Sequence, residues 1–514
     1  MKQLLSALAV LTFPATVQAK PNFVILFSDD AGYADFDFQP DVQEDMQGLT
    51  PHIASIASQG ARFSNAYMSA AVCSSSRAGL MTGRYQQRFG HENNLTPNLQ
   101  NGLPLSETFG AERLRQMGYQ TGLIGKWHLG YPKKYHPNRR GFDWFYGLLR
   151  GSRRYFPYEK PDPQRVIQEN GKPTPECSYV TDRIGDSACR FIREHKDEAF
   201  FLFVSFTAPH GPLEAKSENL KQLGHIVDKR RRGYAGLVKS LDDNVGKILK
   251  TLHDTGLSEN TLLVFTNDNG GPTSKGANNF PLKGQKGEMW EGGIRVPLAI
   301  RWPGRIKPGI VVDDPIISLD LLPTCIAAAG KEVEPEWQLD GINLVPRITE
   351  QIAKLPHRTF FWRQHGFTGQ KAIRDGEWKL VWERDSTNGQ PELYHLTEDT
   401  AESKNLAADH PEKVDALLRK LEKWESQLQI PLWGSGSIDT KDREHKSIST
   451  APLSSWTRVR LIVLGTLLAG LFALICCFRK FRTCNRGTGC ANVRTSGSVG
   501  APRGNTRGHP ARLR

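Results

Sequence analysis

Cysteine is scarce in this chain and poorly placed. Of eight in 514 residues, Cys73, Cys177, Cys189 and Cys325 are scattered, while Cys476, Cys477, Cys484 and Cys490 crowd into or beyond a terminal apolar run. That spacing is not a disulfide framework; Cys177 and Cys189 could pair or remain free buried thiols. No internal repeat is present, which excludes a solenoid or propeller built from one unit. The formal charge of +13 belongs mostly to an acid-free tail. Nine of those charges, Arg479, Lys480, Arg482, Arg486, Arg494, Arg503, Arg507, Arg512 and Arg514, follow Phe478. The remainder is unremarkable for a body of this size, and no nucleic-acid partner is expected.

The two terminal runs read as addresses. Met1-Lys2, the apolar stretch Leu4 to Val17 and the small-residue exit Val17-Gln18-Ala19 form a signal peptide over 1–19. Leu461 to Phe478 has 18 residues without a charge, with Arg458 and Arg460 before it and Arg479, Lys480 and Arg482 after it. This predicts a transmembrane helix over 459–480, after a polar linker at 434–458 and before a basic tail at 481–514. The body is then exported to the periplasmic or extracellular face, anchored by its C-terminal helix, with the basic tail on the cytoplasmic side.

Between these ends, strands alternate with helices. Asn22 to Ser28 is a continuous apolar strand of the kind buried on both faces. Thr50-Pro51 opens a helix that Gly60 stops, with Thr50 as its N-cap. Further helices are expected at Leu105 to Met117, Tyr179 to His195 and Tyr234 to Leu252, and strands at Tyr119 to Ile124, Phe200 to Phe206 and Thr261 to Thr266. This is an α/β pattern with a mostly parallel central sheet between helices, over 20–355. Beyond Leu355 short strands take over: Arg358 to Arg363, Lys371 to Arg374 and Trp378 to Trp382 with a hairpin turn at Asp375-Gly376, then Glu392 to Leu396 and a helix from Pro411 to Leu428. They predict a smaller α+β subdomain with an antiparallel sheet over 356–433.

Polar residues gather at the carboxyl ends of the predicted strands: Asp29-Asp30, Lys126 and His128, His210, and Asp268-Asn269. In open α/β folds that edge is where ligands bind, so segments distant in sequence converge there. Asp29, Asp30, Asp268 and Asn269 offer only oxygen, which suits a hard cation, calcium before magnesium. Lys126, His128, His210 and Lys286 are the cationic and proton-transfer candidates, and glycines flank Lys286 in Gly284-Gln285-Lys286-Gly287.

Ala71 to Arg84 completes the set. Cys73 is followed by three serines whose hydroxyls are expected to cap a helix start, and Arg77 lies one turn on, on the same face. Dipole and guanidinium together favour an anion beside Cys73. Cys73-Ser74-Ser75-Ser76-Arg77 followed by Leu80-Met81-Thr82-Gly83 resembles the signature of the type I, formylglycine-dependent sulfatases of the alkaline-phosphatase-like superfamily. Ser75 departs from it, standing where that family usually has Pro or Ala. The resemblance extends through Pro21 to Asp30, Gly125-Lys126-Trp127-His128-Leu129-Gly130, Pro209-His210, Asn267-Asp268-Asn269-Gly270, Lys286 and Glu291-Gly292-Gly293, in the family's order.

The resemblance implies a sulfuric ester hydrolase in which a maturation enzyme oxidises Cys73 to formylglycine, whose hydrate is the nucleophile. One diol oxygen attacks sulfur and the alcohol leaves; the second hydroxyl then loses its proton and sulfate departs. It implies one calcium ion on Asp29, Asp30, Asp268, Asn269 and the residue derived from Cys73. Arg77 and Lys126 would stabilise the diol and the sulfate oxygens, His128 would assist release of sulfate, and His210 with Lys286 would serve the leaving oxygen. By analogy the substrate is a sulfated polysaccharide or oligosaccharide. An aryl sulfatase, a phosphatase or phosphodiesterase of the same superfamily, and an unconverted glycan-binding pseudoenzyme remain the alternatives. Arg139, Arg140, Arg153, Arg154, Tyr155 and Trp290 are candidates for the substrate pocket, or for a solvated basic loop.

Overall fold

A computed structural model of the chain describes residues 20–96, 100–160, 162–383, 389–435 and 437. The expected signal peptide, transmembrane helix and basic tail lie outside these residues, as does most of the linker. Among the described residues no helix is long and apolar enough to cross a membrane.

A ten-stranded sheet forms the centre. Its strands are β1 (Asn22–Asp29), β2 (Ala61–Phe63), β4 (Gln120–Lys126), β5 (Trp144–Leu148), β6 (Gln168–Glu169), β7 (Lys172–Pro173), β8 (Phe200–Pro209), β9 (Thr261–Asn267), β10 (Leu298–Arg301) and β11 (Ile310–Val312). A short pair, β3 (Ala66–Tyr67) and β12 (Ile316–Ile317), lies outside it. The order across the sheet is β11-β2-β10-β9-β1-β8-β4-β5-β6-β7. The middle five strands, β9, β1, β8, β4 and β5, are all parallel, with Leu26 in register with Val204 on one side and Phe265 on the other.

The continuous apolar run of β1 is explained by this position. Phe23, Ile25 and Phe27 enter one core, and Val24 and Leu26 the other. Burying each such side chain stabilises the fold by roughly 1.5–3 kcal/mol. The Val24 face is covered by α1 (Pro51–Ser58), α4 (Val180–Glu194), α5 (Ser217–Gln222) and α6 (Lys229–Asp254). The Phe23 face is covered by α2 (Cys73–Thr82), α3 (Gly110–Gln116), α8 (Leu321–Ala328) and α9 (Val345–Ile348). A single turn, α7 (Glu291–Ile294), sits between β9 and β10 in the chain.

A separate antiparallel sheet, β13 (Thr359–Gln364), β14 (Gln370–Asp375), β15 (Trp378–Trp382) and β16 (Glu392–His395), packs with α10 (Pro411–Glu425) in a third apolar cluster. Tyr67, Ala71 and Met289 of the larger part join that cluster. Lys379 on β15 is fully buried between Glu291 and Glu402, at 2.8 Å from each.

Several local expectations need correction. The helix expected from Leu105 begins only at Gly110, because Glu107 is drawn into a turn by Arg84 at 2.7 Å and its carbonyl by Arg140. The helix expected from Tyr234 begins at Lys229, where the Asp228 side chain accepts from Arg231 N; its first turn is polar and carries no apolar period. The α10 helix stops at Glu425, short of Leu428. Thr50 does not cap α1, since its hydroxyl is held by Asp37; Asp242 accepts from the His52 and Ile53 amides instead. Cys177 is exposed, Cys189 is buried in α4, and both are free.

Candidate active site

The carboxyl ends of the parallel strands deliver the site. Asp29 ends β1, Lys126 ends β4, and His210 and Asp268 directly follow β8 and β9. Cys73 is the first residue of α2, one turn before Arg77. Asp30 and His128 adopt left-handed backbone conformations, with φ of 67° and 62°. Each costs on the order of 1–3 kcal/mol for a side-chain-bearing residue, strain that the surrounding structure must hold in place.

Arg77, Asp29, Asp268 and Lys126 are buried together. Arg77 Nη2 lies 3.0 Å from Asp268 Oδ2, Arg77 Nη1 donates to Ser205 Oγ at 2.5 Å, and Lys126 Nζ donates to Asp29 Oδ2 at 2.6 Å. Lys286 Nζ reaches both oxygens of Asp30, at 2.6 and 2.8 Å, and lies 3.1 Å from Cys73 Sγ. The same sulfur is 3.6 Å from Asp29 Oδ1 and 3.9 Å from Asp30 Oδ1. His210 Nε2 is 3.5 Å from Asp30 Oδ2, and its Nδ1 meets the Gly211 carbonyl at 2.7 Å. A carbonyl only accepts, so Nδ1 carries hydrogen and Nε2 is left to take and give a proton.

Burial sets the protonation states. It pushes the Cys73 thiol up to about 12, helped by the Asp268 charge. Burial also raises Asp29 to about 6, again with Asp268 assisting. Asp30 and Asp268 are buried too, but the charges of Lys286 and His210 on the first, and of Arg77 and Lys126 on the second, outweigh burial and hold both below the usual carboxylate range. Burial, then the Lys126 and Arg77 charges, drives His128 far down, so its imidazole is neutral.

Whether these residues fit a cation is answered by their chemistry. Asp29, Asp30, Asp268 and Asn269 offer oxygen alone, and all are buried. Asn269 Nδ2 donates to Asp30 Oδ1 at 2.8 Å, while its own Oδ1 is buried without a hydrogen-bond partner. Such an orphaned acceptor costs free energy that a hard cation would recover. Among the described residues, ligand atoms of Asp29, Asp30, Cys73 and His210 all lie within 4.8 Å of one another. Asp268 and Asn269 stand beside it, Asp268 Oδ1 accepting the Asp30 amide at 3.1 Å. Three carboxylates face Arg77, Lys126 and Lys286, so a dication leaves a net positive centre suited to an anion.

Two cavities meet at this centre. One, of about 220 Å³, is lined by Cys73, His128, Tyr131, Arg150 and Arg165; the other, of about 790 Å³, by Asp30, Pro212, Arg230 and Lys275. His210 and Lys286 border both. His128 enters as a wall of the smaller cavity. Its ring is closely backed by Gly151, where a Cβ would stand 2.5 Å from the imidazole.

The basic segment does not line these cavities as expected. Arg140 and Arg153 are buried and spent on carbonyls and on Glu176, Arg154 pairs with Glu214, and Trp290 is buried under Lys283. Tyr155 is buried with its hydroxyl donating to the carbonyls of Thr207 and His210, at 2.8 and 2.7 Å, which braces the turn that carries His210. Arg150 and Arg165 take the pocket positions instead. Nor do the serines after Cys73 cap α2: Asn94 Oδ1 accepts the Ser74 amide, Ser74 Oγ donates to the His128 carbonyl at 2.7 Å, and Ser76 Oγ turns back to the Ala70 carbonyl. Ser205, which binds Arg77, belongs to the site but to none of the motifs; a hydroxyl within the apolar strand β8 is the signal that marks it.

A parallel sheet with a buried acidic and cationic cluster at its carboxyl edge, beside a residue at a helix start, forms a site suited to an anionic ligand. The sulfatase family model matches residues 21–331, and the model described as N-sulphoglucosamine sulphohydrolase, C-terminal, matches residues 285–429. N-acetylgalactosamine-6-sulfatase of Mus musculus is 30% identical over 469 residues, covering 81% of this chain and 87% of its own. Arylsulfatase G of Mus musculus is 32% identical over 394 residues, 68% of this chain and 73% of its own. Among solved structures, Ps i-CgsB in complex with k-i-k-neocarrahexaose is 35% identical with a TM-score of 0.76, covering 83% of this chain and 96% of that one. The chain belongs to the sulfatase family and is a sulfuric ester hydrolase.

Proposed function

We propose that this sulfatase removes sulfate from a sulfated carbohydrate, using formylglycine made from Cys73 and a calcium ion held by Asp29, Asp30, Asp268 and Asn269. The observation that carries this reading is the state of Cys73. Its thiol is buried and pushed up to about 12, so it is no thiolate at neutral pH, yet it stands among Lys286, Asp29 and Asp30 where a nucleophile belongs. That position is where the hydrate of a formylglycine would lie, within reach of Lys286, Asp29 and Asp30.

Bound calcium would act as a Lewis acid toward the sulfate oxygens. Arg77 and Lys126, fixed by Asp268, Ser205 and Asp29, present positive charge that needs no rearrangement as negative charge develops. His210 Nε2 gives its proton to the departing sugar oxygen, with Lys286 holding Asp30 alongside. His128, kept neutral, accepts the proton that must leave when sulfate is released. The likeness to a structure that holds neocarrahexaose favours a carbohydrate over a small aryl ester. The leader and terminal apolar sequences support export and membrane attachment.

Mass spectrometry of the peptide spanning Cys73, together with sulfate release from sulfated oligosaccharides, tests this. The expected result is an aldehyde in place of the thiol and release that disappears in Cys73→Ala. Full activity with an intact thiol would overturn it.

A further inference from the structure

The two cavities that share His210 and Lys286 differ in how their cations are used. In the smaller, Arg150 and Arg165 both turn to Asp162, at 3.2 and 3.9 Å, and Arg150 also donates to Gln164 at 2.8 Å. In the larger, Arg230 makes one bond, to the Ser274 carbonyl at 3.2 Å, and neither it nor Lys275 has an ion pair among the described residues. Asp228, two residues before Arg230, has its carboxylate already committed to the first turn of α6. The Arg230–Ser274 bond ties α6 to the segment that carries Lys275, which holds the two cations on one wall. Pro212, Leu213 and Pro272 supply apolar surface beside them.

Anions bind where cations are placed and not already neutralised. His210 and Lys286 border both cavities, so the larger one opens directly beside the Cys73 site. We propose that Arg230 and Lys275 form a second anion subsite that holds a further sulfate or carboxylate on a neighbouring sugar of the same chain. The proposal rests on the carbohydrate reading above. It makes the enzyme a reader of charge spacing along a polyanion, with Arg230 and Lys275 determining specificity and taking no part in the chemistry.

The test uses three oligosaccharides of equal length with the same target sulfate. The neighbouring sugar is neutral, bears a second sulfate ester, or bears a carboxylate. In the Arg230→Ala/Lys275→Ala protein, kcat/KM on a dianionic substrate is expected to fall about 10-fold further than on the monosulfated one, through KM, as the loss of a charge-assisted contact implies. A selective fall with only one of the two dianions assigns the group as sulfate or as carboxylate. An equal fall on all three, or no fall, overturns the subsite. The carbohydrate reading is checked separately with a chromogenic aryl sulfate. If only that ester is hydrolysed, the carbohydrate reading fails, and affinity of Cys73→Ala protein for the dianions, with and without the Arg230 and Lys275 substitutions, still decides whether the subsite exists.

Discussion

Lys286 Nζ joins Asp30 to Cys73, donating to both carboxylate oxygens while standing 3.1 Å from the sulfur. Burial disfavours its charge, but Asp30 and the groups around Cys73 hold it firmly cationic. Lys286→Met is therefore expected to lower kcat by about 10²–10³, the usual cost of one preorganised donor. Lys286→Arg should recover part of the loss. Conversion of Cys73, followed by mass spectrometry, should be the same in all three proteins; a parallel loss of conversion would move the role of Lys286 from reaction to maturation.

Arg77 is held by Asp268, by Ser205 and by the ring of Phe27, 5.0 Å from the guanidinium carbon. Lysine cannot reproduce that fork. Arg77→Lys is expected to reduce kcat about 100-fold and to lower the melting temperature, because Asp268 is left buried and poorly paired. Ser205→Ala removes one bond only and should cost about 1–3 kcal/mol of stability. Equal kinetics for Arg77→Lys and the parent protein would sink the assignment.

If the proposed calcium binds the folded protein alone, it would raise stability by mass action, by about 2.7 kcal/mol at one hundred times Kd. Chelation is expected to lower the melting temperature and abolish sulfate release, with calcium restoring both more fully than magnesium. Asn269→Ala should shift the calcium titration to higher concentration, since the orphaned Oδ1 is lost. A melting curve indifferent to chelator would contradict the assigned ligands.

His91 makes stability depend on pH. Ser74 Oγ gives its hydrogen to the His128 carbonyl, so His91 Nε2 must donate to that hydroxyl, at 2.7 Å. Burial holds the ring neutral, with its pKa lowered from 6.5 to about 3. The unfolded chain takes up the proton as pH falls through 6.5, and the folded chain does not until about 3. Acid therefore favours unfolding across that window, by on the order of 4 kcal/mol from this one group at its lower end. In urea unfolding measured from pH 7 to 4, His91→Gln should flatten the slope of stability against pH. An unchanged slope would place the pH dependence elsewhere.

The fold was legible where burial and chain direction coincide. Asn22 to Ser28, Phe200 to Phe206 and Thr261 to Thr266 read as strands because two-sided burial demands unbroken apolar runs, and their polar ends then located Asp29, His210 and Asp268. Cys73, Arg77, Lys126 and Lys286 were readable from motif and resemblance, and they do converge. What sequence could not supply was which cations are already spent. Arg153 and Arg154 look identical to Arg230 as letters, yet Glu176 and Glu214 neutralise the first two from distant positions. The caps failed for a similar reason: Thr50 and Ser74 are good capping residues whose hydroxyls tertiary partners claim first.

Cys73 is 2% exposed and already inside a helix whose ten residues are all buried. An enzyme that rewrites this side chain cannot reach it in the finished protein. Lys286, which stands 3.1 Å from the Cys73 sulfur, arrives more than a hundred residues later in the chain. If Cys73 is converted as proposed, the conversion would have to precede burial of α2, so protein that folded first would keep its thiol and stay inert.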